Sequence, residues 1–299
     1  MSTSRTTAAR TAWSSDTPLI LVTNDDGIDS PGLHAAVDSV RGLGTIVVVA
    51  PTTQQTGRGR SMSGNWDDQL HRIPFPRSGE PLDDVEAYHV DASPALALQH
   101  AMNTIFYHHW PDLIVSGVNF GENLGIDITI SGTVGAVLQG AAYGIPGIAA
   151  SRQSEIAHHY EYGELDWEGA GRVVRKYATR MIDILRANRP AHLAGDARLQ
   201  LPRPFPFDIL KIDVPSTCPP GTPERFCRLA RRHYFRHTID DPRAESLLGD
   251  GRTWVDENPG LIDPETDIHA VLFDGAVAIT PLTTDFTADV AAAAKCFGA

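Results

Sequence analysis

Residues 24–27 read Asn-Asp-Asp-Gly and follow directly on an apolar run, Leu19–Thr23. Two adjacent carboxylates at the end of a buried run have few options, because ionised and unpaired groups in an apolar interior are costly. Asp25 and Asp26 must be exposed at the strand end, hydrogen-bonded, or neutralised by a cation. Hard oxygen ligands on one short loop suit Mg²⁺ or Mn²⁺. An Asx-type turn ahead of a helix explains the same residues, so this loop alone leaves both readings open.

Three further polar segments carry compatible chemistry. They are Thr56-Gly57, the stretch holding Asn119, Gly121 and Asn123, and Ser131-Gly132-Thr133. An amide oxygen from Asn119 and a hydroxyl from Thr56 are hard ligands like the carboxylates. Ser131-Gly132-Thr133 opens a helical stretch, where free N–H groups and the helix dipole favour an anion such as phosphate. A metal beside an anion pocket is the layout for metal-assisted phosphoryl transfer to water. Singly, each has a structural explanation. Asn119 and Asn123 can bond their own loop backbone, and Ser131 and Thr133 can be helix caps. The functional case rests on joint placement.

That placement requires a particular set of elements. Residues 19–23, 45–50, 87–91, 112–116 and 147–151 read as strands, several of them apolar on both faces. Ser30-Pro31 and Ser93-Pro94 each supply an N-cap and a proline at the first helical position, opening helices to about residues 41 and 106. A helix over 132–143 is stopped by Gly144 and Pro146. Strands of this kind alternating with helices predict an α/β fold: a Rossmann-like, doubly wound, mostly parallel sheet covered on both sides. Ligands bind such sheets at the carboxyl ends of the strands, and the polar segments above all fall at those ends. Residues 117–130 are expected to form a long loop. Beyond Ser151, a helix is expected over 167–188 and a strand over 208–214. Then come an arm or small lobe over 215–268, a hairpin turning at Asp274-Gly275, and a helix over 284–297. The expected organisation is a disordered tail (1–16), a catalytic core (17–214), and a C-terminal arm, hairpin and helix for oligomerisation (215–299).

Bulk properties narrow the function. The chain has 299 residues, 42% hydrophobic and 21% charged, ordinary values for a globular protein. A formal net charge of −12 argues against binding nucleic-acid duplexes. It permits a small anionic substrate, because a metal inverts the local field. No apolar run approaches the ~18–20 residues that span a bilayer, so no membrane partner is expected. Cys218, Cys227 and Cys296 form no CxxC pair, which fits a reducing, cytoplasmic location. Residues 1–16 could alternatively be a transit peptide. No GxGxxG follows the first strand and no Walker A lysine loop exists. Adjacent Asp-Asp does not match the alternating carboxylates of haloacid-dehalogenase-type phosphatases. His108-His109 and His158-His159 read as surface residues. The basic run from Arg225 to His237 reads as a solvated arm or subunit contact, with a phosphate clamp as the alternative.

Taken together, these motifs resemble those of the SurE family, the survival-protein-E 5′/3′-nucleotidases. The resemblance is carried by Asn24-Asp25-Asp26-Gly27, Val49-Ala50-Pro51 and Ser116-Gly117-Val118-Asn119-Phe120-Gly121-Glu122-Asn123-Leu124-Gly125. It continues in Ser131-Gly132-Thr133-Val134, Thr266-Asp267 and Ile279-Thr280-Pro281-Leu282. It implies a metal-dependent phosphomonoesterase acting on nucleoside 5′- and 3′-monophosphates, with Asp25, Asp26 and Asn119 catalytic. One divalent ion per subunit, Mg²⁺ or Mn²⁺, would be held by Asp25, Asp26, Thr56 and Asn119. Phosphate or substrate would lie near Asn24, Gly57, Asn123, Ser131, Gly132 and Thr133. A homodimer or homotetramer with exchanged C-terminal elements is also implied. The chain departs from the family at Thr56, where serine is usual, and at Thr52-Thr53-Gln54-Gln55, where the family is charged. Those departures keep two alternatives open: a phosphatase for another phosphate ester, or a nucleotide-binding protein without turnover.

Overall fold

A computed structural model describes residues 17–155, 165–188 and 195–297; the expected tail over 1–16 and His158-His159 lie outside the described residues. Strand β1 (Leu19–Thr23) is buried at every position. Its side chains alternate between two cores, as the period of a strand requires. Ile20 and Val22 meet helices α1 (Pro31–Val40) and α4 (Glu168–Asn188) on one face. Leu19 and Leu21 meet α2 (Pro94–Asn103) and α3 (Gly132–Ala141) on the other. Burial on both faces is why β1 and β2 (Thr45–Pro51) are continuous apolar runs.

The remaining strands are β3 (His71–Ile73), β4 (Val85–Val90), β5 (Leu113–Phe120), β6 (Gly147–Arg152), β7 (Ile209–Val214), β8 (Glu224–Phe226), β9 (Phe235–Thr238), β10 (Arg252–Val255) and β11 (Val277–Leu282). Three short helices complete the set: α5 (Asp196–Leu199), α6 (Asp267–Leu272) and α7 (Val290–Cys296). Among the described residues the main sheet runs β3-β4-β2-β1-β5-β6-β7-β11-β8. Pairing is parallel from β4 through β7. β3 and β11 enter antiparallel, and β8 lies parallel to β11 at the edge. The chain winds outward from β1 to β2 and β4, then returns to β5 and winds the other way. The switch point therefore lies between β1 and β5, where an open α/β sheet binds its ligand.

Three expectations need correction. The fourth strand does not stop at Ser116. It continues to Phe120 through a register shift between Ser116 and Asn119, because Val118 and Phe120 are themselves buried. Only the second part of the expected 117–130 loop is irregular, and it contains a 3₁₀ turn at Ile126–Thr129. Asp274-Gly275 does not turn a hairpin. It joins α6 to β11, because Ile268, Ala270 and Val271 bury as a helical face while β11 pairs with β7. The C-terminal helix is shorter than 284–297, starting where Asp289 caps the N–H of Ala292. The hairpin of this region is instead the antiparallel ribbon of β9 and β10. It belongs to a small lobe whose core, Cys227, Ala230, Tyr234 and Ile262, packs on Leu124, Ile268 and Val271. Among the described residues no helix is long and apolar enough to cross a membrane.

Candidate active site

The loop after β1 turns back on itself at the switch point. Asn24 uses both ends of its side-chain amide on the backbone of Gly27, donating from Nδ2 (2.9 Å) and accepting at Oδ1 (3.2 Å). It is fully buried, so it shapes the loop and does not face the cavity described below. The turn leaves Asp25 and Asp26 only 3% and 1% exposed. Neutral groups approach both. The Thr133 hydroxyl donates to Asp25 Oδ1. Gln54 Nε2 (3.3 Å) and the Phe120 N–H (3.2 Å) donate to Asp26. Burial pushes the Asp25 carboxyl up to about 6, against the pull of the Thr133 hydrogen bond. Burial, and then the charge of Asp25, push Asp26 up to about 8.

The extension of β5 carries Asn119 to the same point. Its Nδ2 donates to the carbonyls of Phe120 (3.2 Å) and Gly121 (2.7 Å), which turns Oδ1 away from them as the available acceptor. A cavity of about 250 Å³ opens here. Asp25, Thr56, Gly57, Asn119, Asn123 and Ser131 line it. Helix α3 points its N-terminus at this space, with Ser131 as N-cap accepting from the Val134 N–H. Gly132 permits the approach: a Cβ there would sit 2.6 Å from Asp25 Cβ and Oδ2. Of the other residues expected at the site, Gly132 and Thr133 lie behind this wall against Asp25, and Asp26 is buried without lining the cavity.

The donors fit a hard divalent cation. The Asp25 carboxylate, an oriented amide oxygen and a hydroxyl line one cavity, and the Asp26 carboxylate is buried behind them. Among the described residues, no cluster of three or more His, Cys, Asp or Glu side chains is arranged to hold a metal. The set therefore suits an ion that keeps several waters, such as Mg²⁺, more than a thiolate or imidazole site.

Two lining residues, Phe235 and Thr253, have no signal in the motifs, and Glu122 lies within one without being singled out. Phe235 and Thr253 come from the β9–β10 ribbon, which folds back over the cavity. Asp127 fixes that ribbon by accepting the N–H groups of Tyr234 (2.8 Å) and Phe235 (3.0 Å). Buried Glu122 also reaches the cavity and accepts the Tyr234 hydroxyl at 2.6 Å. The basic run stays outside it. Arg225, Arg228 and Arg232 pair with Asp274, Asp263 and Asp256.

Comparison with known proteins matches the family model "Survival protein SurE" over residues 20–236. The chain is similar to the 5′-nucleotidase SurE of Methanopyrus kandleri, 37% identical over 92% of this chain and 94% of that protein. It is similar to the 5′-nucleotidase SurE of Methanocella arvoryzae, 36% identical over 90% of this chain and 93% of that protein. Among solved structures it is similar to the SurE protein from Aquifex aeolicus. The TM-score is 0.65 at 26% identity, covering 94% of this chain and all of that one.

Proposed function

This chain belongs to the SurE family, and from that premise we propose that it is a metal-dependent phosphomonoesterase releasing phosphate from nucleoside 5′- and 3′-monophosphates. The observation that carries the reading is the Asp25 carboxylate, buried on the wall of a cavity that also holds Asn119 and the first turn of α3. Asp25, Asp26, Asn119 Oδ1 and the Thr56 hydroxyl would hold one divalent ion, Mg²⁺ or Mn²⁺. Bound there, the ion would supply charge at a phosphoryl oxygen and lower the pKa of water.

The residues of the chain account for the other requirements. Thr133 holds Asp25 in one orientation through its hydroxyl. The α3 N-terminus and the Ser131 hydroxyl face the transferring phosphoryl group, and these donors stabilise charge on its equatorial oxygens. Asn123 gives one hydrogen of its amide to Ser151 Oγ at 2.7 Å and has the second to offer the anion. Water attacks phosphorus in line, and the nucleoside hydroxyl leaves on the opposite side. Phe235 and Ile130 form an apolar stretch of the same wall, a surface suited to the nucleoside.

The segment 215–299 carries exposed apolar side chains, among them Phe226, Leu248 and Phe286. These support assembly into a homodimer or homotetramer through that segment. The free thiols of Cys218, Cys227 and Cys296 support a cytoplasmic location.

Phosphate release from a panel of nucleoside monophosphates and other phosphate esters tests the reading, using metal-stripped protein with and without Mg²⁺ or Mn²⁺. Metal-restored release led by nucleotides is expected, and Asp25→Asn should abolish it in folded protein. Normal turnover by Asp25→Asn would overturn the assignment.

A further inference from the structure

Behind the cavity lies an ion triad that the reaction outlined above does not use. Lys211 on β7 is completely buried, as are Asp213 and Asp267. The Lys211 ammonium donates to Asp213, to Asp267 (3.0 Å) and to the carbonyl of Asn123 (2.9 Å). Asp213 Oδ1 accepts the N–H of Asn123 at 2.8 Å. Asp267 accepts the N–H of Gly125 through Oδ2 and that of Ala230 through Oδ1, each at 3.0 Å. Burial alone would lower the Lys211 pKa, but the flanking carboxylates outweigh it and keep the group protonated. Charges removed from water are tolerated only when their donors and acceptors are matched, and here all three Lys211 hydrogens have acceptors.

These bonds converge on one short loop. Both backbone groups of Asn123 are held, the N–H by Asp213 and the carbonyl by Lys211, and its side chain is held by Ser151. The anchors are neighbours in the sheet: Asn119, Ser151 and Asp213 lie side by side in register on β5, β6 and β7. Two residues on, Gly125 adopts φ +58 and passes so close to the C-terminal lobe that a Cβ would stand 2.4 Å from the Arg232 carbonyl. A buried triad that fixes both backbone groups of one cavity residue is more than a packing element.

We propose that Lys211, Asp213 and Asp267 are positioning residues for the phosphate site, holding Asn123 so that its free amide hydrogen meets the anion. This rests on Asn123 being a phosphate donor. A hydrogen bond weakens steeply with distance and angle, so loss of the anchor is readable in anion affinity.

The test is calorimetric titration of inorganic phosphate into Mn²⁺-loaded protein, which needs no turnover. Asp213→Leu and Asp213→Asn are matched in charge, since both leave Lys211 paired with Asp267. They differ in whether an acceptor remains for the Asn123 N–H. Asp213→Leu should weaken phosphate binding about tenfold or more, while Asp213→Asn, whose single amide oxygen can still accept the Asn123 N–H while its NH2 faces the Lys211 ammonium, should weaken it distinctly less, and both should retain native Mn²⁺ affinity. Should Asp213→Leu not fold, Lys211→Met/Asp213→Asn keeps the native net charge of the triad and removes the donor to the Asn123 carbonyl. Its phosphate affinity should fall in the same way. Native phosphate affinity in folded Asp213→Leu, or equal losses in the two Asp213 variants, would overturn the proposal. Asn123→Ala separates this from the reading beneath it. If Asn123→Ala weakens phosphate binding and Asp213→Leu does not, only the positioning role fails. If Asn123→Ala leaves binding unchanged, the phosphate role of Asn123 fails and the proposal with it.

Discussion

Two groups of buried carboxylates in the protein are treated differently. Around Lys211, Asp213 and Asp267 it supplies its own cation and meets every hydrogen of that cation with an acceptor. Around Asp25 and Asp26 the donors described are a hydroxyl, an amide and a backbone N–H, and burial holds both carboxyls above their ordinary range. The first arrangement is complete within the chain. The second lies beside a cavity, and the proposed cation would relieve it. Buried carboxylates that share a buried lysine organise structure, whereas buried carboxylates beside a cavity make a candidate binding site.

Substitutions at the two places should act in opposite directions. Asp25→Asn should lower metal-supported phosphate release by about a thousandfold or more while leaving the fold intact; retained turnover breaks the contrast on the functional side. Lys211→Met should lower the free energy of unfolding by about 3–5 kcal/mol, read by denaturant titration, because it strands two buried carboxylates. An unaltered midpoint would mean that the triad is not the balanced unit described here. Asp26→Asn in metal-free protein should stabilise by on the order of 1–3 kcal/mol at neutral pH, because it removes the carboxylate with the most strongly raised pKa.

The pH dependence singles out Asp26. Asp25 and Asp26 titrate near 6 and 8 in the folded protein, against 3.8 for the ordinary carboxyl. Between those values the folded state binds more protons than the unfolded state, so the stability of metal-free protein falls as pH rises from about 4 to about 8. Asp213, raised to about 6, acts in the same direction over the lower part of that window. Asp26→Asn should therefore flatten the slope chiefly above pH 6, as seen by thermal unfolding in chelator. Divalent-ion affinity should rise over the same interval, since binding displaces protons. An effect on turnover similar in size to the Asp26→Asn stabilisation is expected from Thr133→Ala. Loss of one hydrogen bond to a charged group, about 1.5–3 kcal/mol, should lower turnover without removing metal binding.

Legibility followed burial and sequence distance. The parallel core was readable because β1 and β2 are apolar on both faces and the helices open on Ser30-Pro31 and Ser93-Pro94. Asp25, Thr56, Asn119, Asn123 and Ser131 could be named because the switch-point rule sends strand-end residues to one edge, and one cavity does hold them. The Gly117 irregularity interrupts the strand pattern that Val118 and Phe120 resume, so Asn119 reads as a loop residue from sequence alone. The lobe beyond Val214 was opaque, since its core is made of scattered residues such as Cys227, Ala230 and Tyr234 without a helix or strand period. Phe235 and Thr253 reach the cavity only because the ribbon folds back and Asp127 holds it there. A contact of that kind leaves no local mark. Gln54 was visible only as a departure from the family's charged loop, and its bond to Asp26 had no spacing to announce it.

The bonds that assemble the site span most of the chain. Thr133 reaches Asp25 across 108 positions, the Phe120 N–H reaches Asp26 across 94, and Gly125 reaches Asp267 across 142. Contacts so distant in sequence form late and slowly during folding, since loop closure must precede them. During synthesis from the N-terminus, Asp25 and Asp26 leave the ribosome long before the segment carrying Asp267 exists. The bonds from Asp267 to Gly125 and Ala230 are therefore absent from every chain not yet synthesised through Asp267.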